Sequence, residues 1–199
     1  MLIALNKLMS KLATTNRYSD TRLINPESVL EHTGYVALTS MFIAMKLIDA
    51  GESINIGELL QKCLLHDIEE AKMGDIITPT KHSSIKLKLM LNSYAEECAE
   101  DVLASVYGYP ETLNIWKQSK YGKEGYIVEI ADALSVVYIM EREIIYFGNM
   151  HLKLHMNEGL FRKLEKLKDL AGGTFENDTV IKTILNEGLR LCNLISKHT

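Results

Sequence analysis

The chain has 199 residues, 47% of them apolar and 24% charged, which is long enough for a substantial core and typical in composition of a water-soluble globular protein. Its formal charge of −4 provides no basic field of the kind that gathers nucleic acid polymers by counterion release, although a local pocket of Arg and Lys can still hold a single nucleotide. The three cysteines, Cys63, Cys98 and Cys192, are scattered without CxxC spacing, so neither a disulfide framework nor a thiolate zinc site is indicated and a reducing, cytoplasmic setting is expected.

Leu2, Leu5, Leu8, Met9 and Leu12 form a helical stripe at the N-terminus. This stretch is too short and amphipathic to span a membrane, and no charged segment precedes its apolar part, so neither a membrane partner nor a signal peptide is expected. Thr14 to Pro26 is rich in Asn, Ser, Asp and Thr and predicts a loop, which carries Arg17, Tyr18 and Arg22. A second helix is expected from Ser28 to Asp49, with Ser28 as N-cap and Glu31 completing a capping box. His32 follows, and the helix then turns apolar through Val36, Leu38, Met41, Phe42 and Ile43.

The third predicted helix, Ile56 to Ala71, opens with Leu59, Leu60, Cys63 and Leu64 and then carries His66 and Asp67 side by side. Adjacent helical residues point about 100° apart, so this pair converges only on something placed between them. Glu70 lies one turn beyond, on their side, whereas Glu69 is expected to face solvent or stand behind the site. An imidazole and two carboxylates at the edge of an apolar layer repel or go unpaired unless a cation joins them. Gly74 and Pro79 bracket a turn containing Asp75.

Further helices are expected over Ser84 to Tyr107, Glu111 to Ser119 and Tyr126 to Phe147, with a glycine-containing break at Lys120 to Gly125. Two more, Met150 to Leu170 and Glu176 to Lys197, are separated by Gly172 and Gly173. No alternating pattern is sustained anywhere, so the fold class is all-α, and with no repeat or linker a single domain over 1–199 is expected. His82, His151, His155 and His198 have no context beyond a surface or a helix end.

The run from Ile127 to Met140 has one anomaly, Asp132, whose neighbours one turn away are Val128, Glu129, Ser135 and Val136. Alone, it is explained by an Arg or backbone donors at a helix contact. Taken with His32, His66 and Asp67 it completes a two-imidazole, two-carboxylate set. Such a set suits Mn²⁺, Co²⁺, Fe²⁺, Ni²⁺, Zn²⁺ or Mg²⁺ and, lacking thiolate, argues against a purely structural zinc. An ion so held keeps positions open for water and a substrate oxygen.

The order His32, then His66-Asp67, then Asp132 within Ala131-Asp132-Ala133-Leu134 resembles the HD-domain metal-dependent phosphohydrolases. Asn16-Arg17-Tyr18, Glu31-His32, His66-Asp67-Ile68-Glu69-Glu70, Gly74-Asp75 and Thr78-Pro79-Thr80-Lys81 make it similar to the bacterial-type 5′-deoxynucleotidase branch. The resemblance implies an HD-domain helical bundle and one divalent ion (Mn, Co, Zn or Mg) on His32, His66, Asp67 and Asp132, with a second ion near Glu70 compatible with it. It implies Glu70 as acid/base, Asp75 in catalysis and substrate positioning, and Arg17 and Lys81 as phosphate contacts. Tyr18 stands where the family usually carries a Trp packed on the deoxyribose. The implied reaction is hydrolysis of the 5′ phosphate ester of a small-molecule deoxynucleotide, by a homodimer or larger homo-oligomer. Two alternatives share the motif: a dATP triphosphohydrolase of the compact viral kind, and a non-catalytic nucleotide-binding HD protein.

Overall fold

The computed structural model describes residues 1–81, 83–106, 110–149 and 152–197, and among these the chain is helical throughout, without a strand. His82, His151 and His198 lie outside the described residues, as do Tyr107 and Met150 at two predicted helix limits and the side chain of His155. Among the described residues no helix is long and apolar enough to cross a membrane.

α1 (Leu2–Thr14) buries Leu12 and leaves Leu2 and Ile3 exposed. The loop after it is closed at its base: an isolated antiparallel bridge pairs Asn16 with Ser28, and the Arg17 amide donates to the Glu27 carbonyl at 2.9 Å. Arg17 and Tyr18 therefore start from a fixed backbone. α2 (Val29–Asp49) begins with the predicted capping box, in which the Glu31 amide donates to Ser28 Oγ at 3.2 Å and the Ser28 amide to Glu31 Oε2 at 2.8 Å. That cap fixes the first turn, and His32 stands on its buried side.

α3 (Ile56–Leu65) is capped by Asn55 and is shorter than predicted. The expected continuous helix to Ala71 is broken over 66–69, and α4 (Glu70–Met73) then runs to Gly74, whose φ of +75° suits a residue without Cβ. The break has a local cause. His66 Nδ1 lies 2.7 Å from the Cys63 carbonyl, the acceptor that the Asp67 amide would use in a continuing helix. The amides of Ile68, Glu70 and Ala71 reach only three residues back, at 3.1, 3.2 and 3.3 Å, so the chain tightens to a three-residue turn.

α5 (Thr78–Lys81), α6 (Ile85–Val106) and α7 (Pro110–Lys117) follow. α8 (Gly122–Glu141) starts earlier than predicted and ends in a wide π-helical turn over Arg142–Tyr146. A Cβ on Gly125 would stand 2.5 Å from the Lys120 carbonyl carbon, so this glycine lets the α7–α8 connection lie against α8. α9 (Lys153–Thr174) runs through Gly172 and Gly173, which do not separate two helices as expected. The helix tolerates two glycines at about 1 kcal/mol each, because Phe175 just beyond them is anchored in the core. α10 (Thr179–Lys197) packs on α9 and α8.

Two apolar clusters result. The larger joins α2, α3, α8, α9 and α10 through Val36, Leu47, Leu59, Cys63, Ile127, Leu164 and Leu185, among others. The smaller gathers Leu12, Val29, Ile68, Ala99 and Leu103. His32 lies between Val29 and Val36, and His66-Asp67 between Cys63 and Ile68, so the polar candidates sit on the seam where the two clusters meet.

Candidate metal centre and active site

At that seam four predicted side chains converge. His32 Nε2 and His66 Nε2 are 3.2 Å apart; Asp67 Oδ2 is 3.4 Å from the first and 3.1 Å from the second; Asp132 Oδ1 is 3.5 Å from His32 Nε2. Ligand atoms of His32, His66 and Asp132 all lie within 4.8 Å of one another. The tight turn after Leu65 brings His66 and Asp67, which an ideal helix would splay apart, onto one spot.

Hydrogen-bond partners assign the imidazole protons. His66 Nδ1 donates to the Cys63 carbonyl, which turns its Nε2 toward the cluster, and although burial opposes it, Asp67 and Asp132 raise the proton affinity of the ring. Arg17 NH1 stands 2.5 Å from His32 Nδ1, and since a guanidinium only donates, His32 holds its proton on Nε2. The same NH1 is 3.0 Å from Oε2 of the buried Glu27, and the guanidinium lies 5.0 Å from the Tyr18 ring centroid. Tyr18 adopts a left-handed φ of +59°, and its amide donates to Asp75 Oδ2 at 2.9 Å. Asp75 thus holds the loop that carries Arg17. Burial raises the Tyr18 phenol's proton affinity, and its hydroxyl oxygen is enclosed without a hydrogen-bond partner among the described residues.

The carboxylates divide into two kinds. Burial opposes ionisation of Asp67 and Asp132, but His66 and His32 on one, and Lys163, His32 and Arg17 on the other, hold both well below the usual carboxylate range. Glu70 goes the other way: burial, then the charges of Asp67 and Asp75, push it up to about 9. Its Oε1 is 3.8 Å from Lys81 Nζ and its Oε2 has no partner among the described residues. Glu69 is half-buried rather than facing solvent, accepts from Trp116 Nε1 at 2.7 Å, and is raised to about 7 by burial and Asp67.

The structure therefore brings Arg17, His32, His66, Asp67 and Asp132 into one cluster, with Glu70 beside it, Asp75 on the Tyr18 amide, and Lys81 loosely against Glu70. Sequence reasoning missed Glu27, Trp116, Lys163 and Lys120. Lys163 Nζ lies 2.8 Å from Asp132 Oδ2. Although desolvation opposes it, the charges of Asp67, Asp132 and Glu69 raise the proton affinity of Lys120. None of the four carries a local signal, since the partners of Glu27, Trp116 and Lys163 lie 10 to 47 residues away in sequence and those of Lys120 are equally non-local.

Among known proteins, the chain is similar to the 5′-deoxynucleotidase YfbR of Salmonella arizonae, at 27% identity over 154 residues covering 73% of this chain and 75% of that protein. Its fold is shared by an HD-domain phosphohydrolase from Listeria innocua (21% identity, TM-score 0.73, covering 100% and 99% of the two chains). It is also shared by the cyanophage S-2L HD phosphohydrolase DatZ, solved with dA and one catalytic Zn²⁺ (17% identity, TM-score 0.65, covering 96% of each chain). The model of the family described as 5′-deoxynucleotidase YfbR-like matches residues 4–182, and the chain belongs to that family.

Proposed function

We propose that the chain hydrolyses the 5′ phosphate ester of deoxynucleoside monophosphates, releasing deoxynucleoside and inorganic phosphate, with one divalent ion held by His32, His66, Asp67 and Asp132. The observation that carries this is the convergence of His66 Nε2, Asp67 Oδ2 and Asp132 Oδ1 on His32 Nε2, at 3.2, 3.4 and 3.5 Å, on a seam between apolar clusters. The donor set fits the ion: His66 turns Nε2 into the cluster, and both carboxyls are held well below the usual carboxylate range. Ligation by His32 requires its proton on Nδ1, so Arg17 must leave that nitrogen, and Glu27 is placed to take the guanidinium. When bound, a divalent ion supplies charge neutralisation at the phosphoryl oxygen and a water acidic enough to attack near neutral pH.

The remaining steps belong to the chain. Arg17, released from His32 and steadied by Glu27 and Tyr18, meets the phosphate bidentately, and Lys81 adds a second cation. Water attacks phosphorus and the bond from phosphorus to the sugar 5′ oxygen breaks. Glu70, buried beside the cluster with one oxygen unengaged, is placed to hand a proton to the departing oxygen and to recover one from the attacking water. Asp75 serves through the Tyr18 amide, keeping the Arg17 loop in place. The buried free thiols support a reducing, cytoplasmic setting, and the exposed Leu38, Phe42 and Met45 on one face of α2 support a homodimer.

Incubating the purified protein with each dNMP, dNTP and matching ribonucleotide in Mn²⁺, Co²⁺, Zn²⁺ or Mg²⁺, and identifying the products, tests the reading. Inorganic phosphate from dNMPs is expected. Triphosphate from dATP would replace the monophosphatase by a triphosphohydrolase, and binding without turnover would favour a nucleotide-binding protein.

A further inference from the structure

Asp132 has its two oxygens committed in opposite directions. Oδ1 faces inward, 3.5 Å from His32 Nε2 and 3.8 Å from Arg17 NH2, while Oδ2 faces outward to Lys163 Nζ at 2.8 Å. The lysine comes from α9, whose Leu160, Leu164 and Leu167 are buried in the larger apolar cluster where α9 packs on α8. Lys163 adjoins Leu164, so its backbone is fixed by core packing and its side chain leaves the edge of that ridge toward Asp132. An ordinary exposed ion pair contributes little, because both partners move freely and water screens them. Here one partner is a candidate ligand whose other oxygen already lies among the imidazoles.

We propose that Lys163 is a positioning residue for Asp132: by holding Oδ2 it presents Oδ1 alone to the divalent ion and keeps the carboxylate from turning outward or offering both oxygens. The inference rests on the reading that His32, His66, Asp67 and Asp132 hold that ion. In this assignment Lys163 acts on Asp132 and not on the ion or the phosphate. Its work is done through the rotation of one carboxylate, as outer partners of ligating groups commonly do.

Calorimetric titration of the metal-free protein with Mn²⁺ provides the test, on wild type and on Lys163→Met, Lys163→Arg, Lys168→Met and Asp132→Asn. Lys168 is the control, since it lies on the same helix but pairs with Glu165 and Asn186. Lys163→Met is expected to weaken Mn²⁺ binding by about 10- to 100-fold without changing helical content, with Lys163→Arg recovering most of the loss and Lys168→Met behaving as wild type. An affinity for Lys163→Met indistinguishable from wild type overturns the inference, and if KM for the nucleotide rises meanwhile, the lysine contacts phosphate instead. No Mn²⁺ binding by wild type, or undiminished binding by Asp132→Asn, takes down the metal site as well. That pattern differs from loss of the lysine's role alone.

Discussion

Glu143 and Glu70 are both almost fully buried, and their surroundings could hardly differ more. Glu143, at 0% exposure in the π-helical turn, accepts from the amides of Ile24 at 2.7 Å and Asn25 at 3.0 Å and from Asn149 Nδ2 at 2.8 Å. Although burial opposes it, those donors keep its carboxyl below the usual range. Glu70, at 4% exposure, has a distant lysine on one oxygen and no partner among the described residues on the other, and burial drives it up to about 9. A buried carboxylate whose lone pairs are filled by the protein is part of the architecture; one left unfilled is waiting for chemistry. Glu143 staples the loop that carries Arg17 and Tyr18, and Glu70 stands over the place that loop helps to build.

The sharpest break in this comparison comes from the centre itself. His66→Ala or Asp67→Ala should abolish both divalent-ion binding and turnover, read by calorimetry and by phosphate release. If either variant kept a bound ion and activity, the four-ligand reading would be lost. Glu70→Gln should come next, lowering turnover by about 10²- to 10⁴-fold while ion affinity stays as in wild type. Near-normal activity in that variant removes Glu70 from proton handling. Glu143→Ala should instead act on stability, depriving the Ile24 and Asn25 amides of their acceptor while Asn149 Nδ2 keeps its bond to the Arg22 carbonyl, at a cost of about 1 to 3 kcal/mol in urea denaturation. It should also raise KM more than it lowers kcat, because the Arg17 loop loses its anchor; unchanged stability would show that the staple is dispensable.

The asymmetry between the two glutamates also explains what the sequence disclosed. Residues whose role follows from local spacing were legible. Ser28 and Glu31 close a capping box three residues apart, and His66 and Asp67 stand out against the apolar run that precedes them. Asp132 was legible as a carboxylate in the middle of a largely apolar helix, and the family pattern joined it to His32. Glu143 was not, because a carboxylate near a helix end looks solvated until its partners, 118 and 119 residues distant, are known. Lys163 was hidden similarly, as one basic residue among several on α9. The broken third helix was missed because its cause is a side-chain ring competing for a backbone carbonyl, which hydropathy periodicity does not register. Gly172 and Gly173 misled in the opposite sense, since tertiary anchoring of Phe175 outweighed their helix-breaking tendency.

The smallest expected effect concerns stability rather than rate, and it separates the two glutamates by sign. Glu70 has its folded carboxyl raised to about 9, so the native metal-free protein holds that proton more tightly than the unfolded chain does. Its contribution is fully present below the unfolded carboxyl value of about 4.3 and is lost as pH rises toward about 9. Glu143, whose carboxyl is lowered, contributes above the unfolded value and loses that contribution only as the solution turns acidic. In chelator, wild type should therefore become progressively easier to unfold by urea between pH 6 and pH 8.5 (about the span over which Glu70 is still protonated when folded). Glu70→Gln, which stays neutral, should show a shallower decline over that interval. The slope does not vanish, because Glu69, raised to about 7 beside Asp67, loses its own contribution over part of the range. Parallel pH profiles for wild type and Glu70→Gln would mean that Glu70 is already ionised at neutral pH, and the proton assigned to the departing oxygen would have to come from elsewhere.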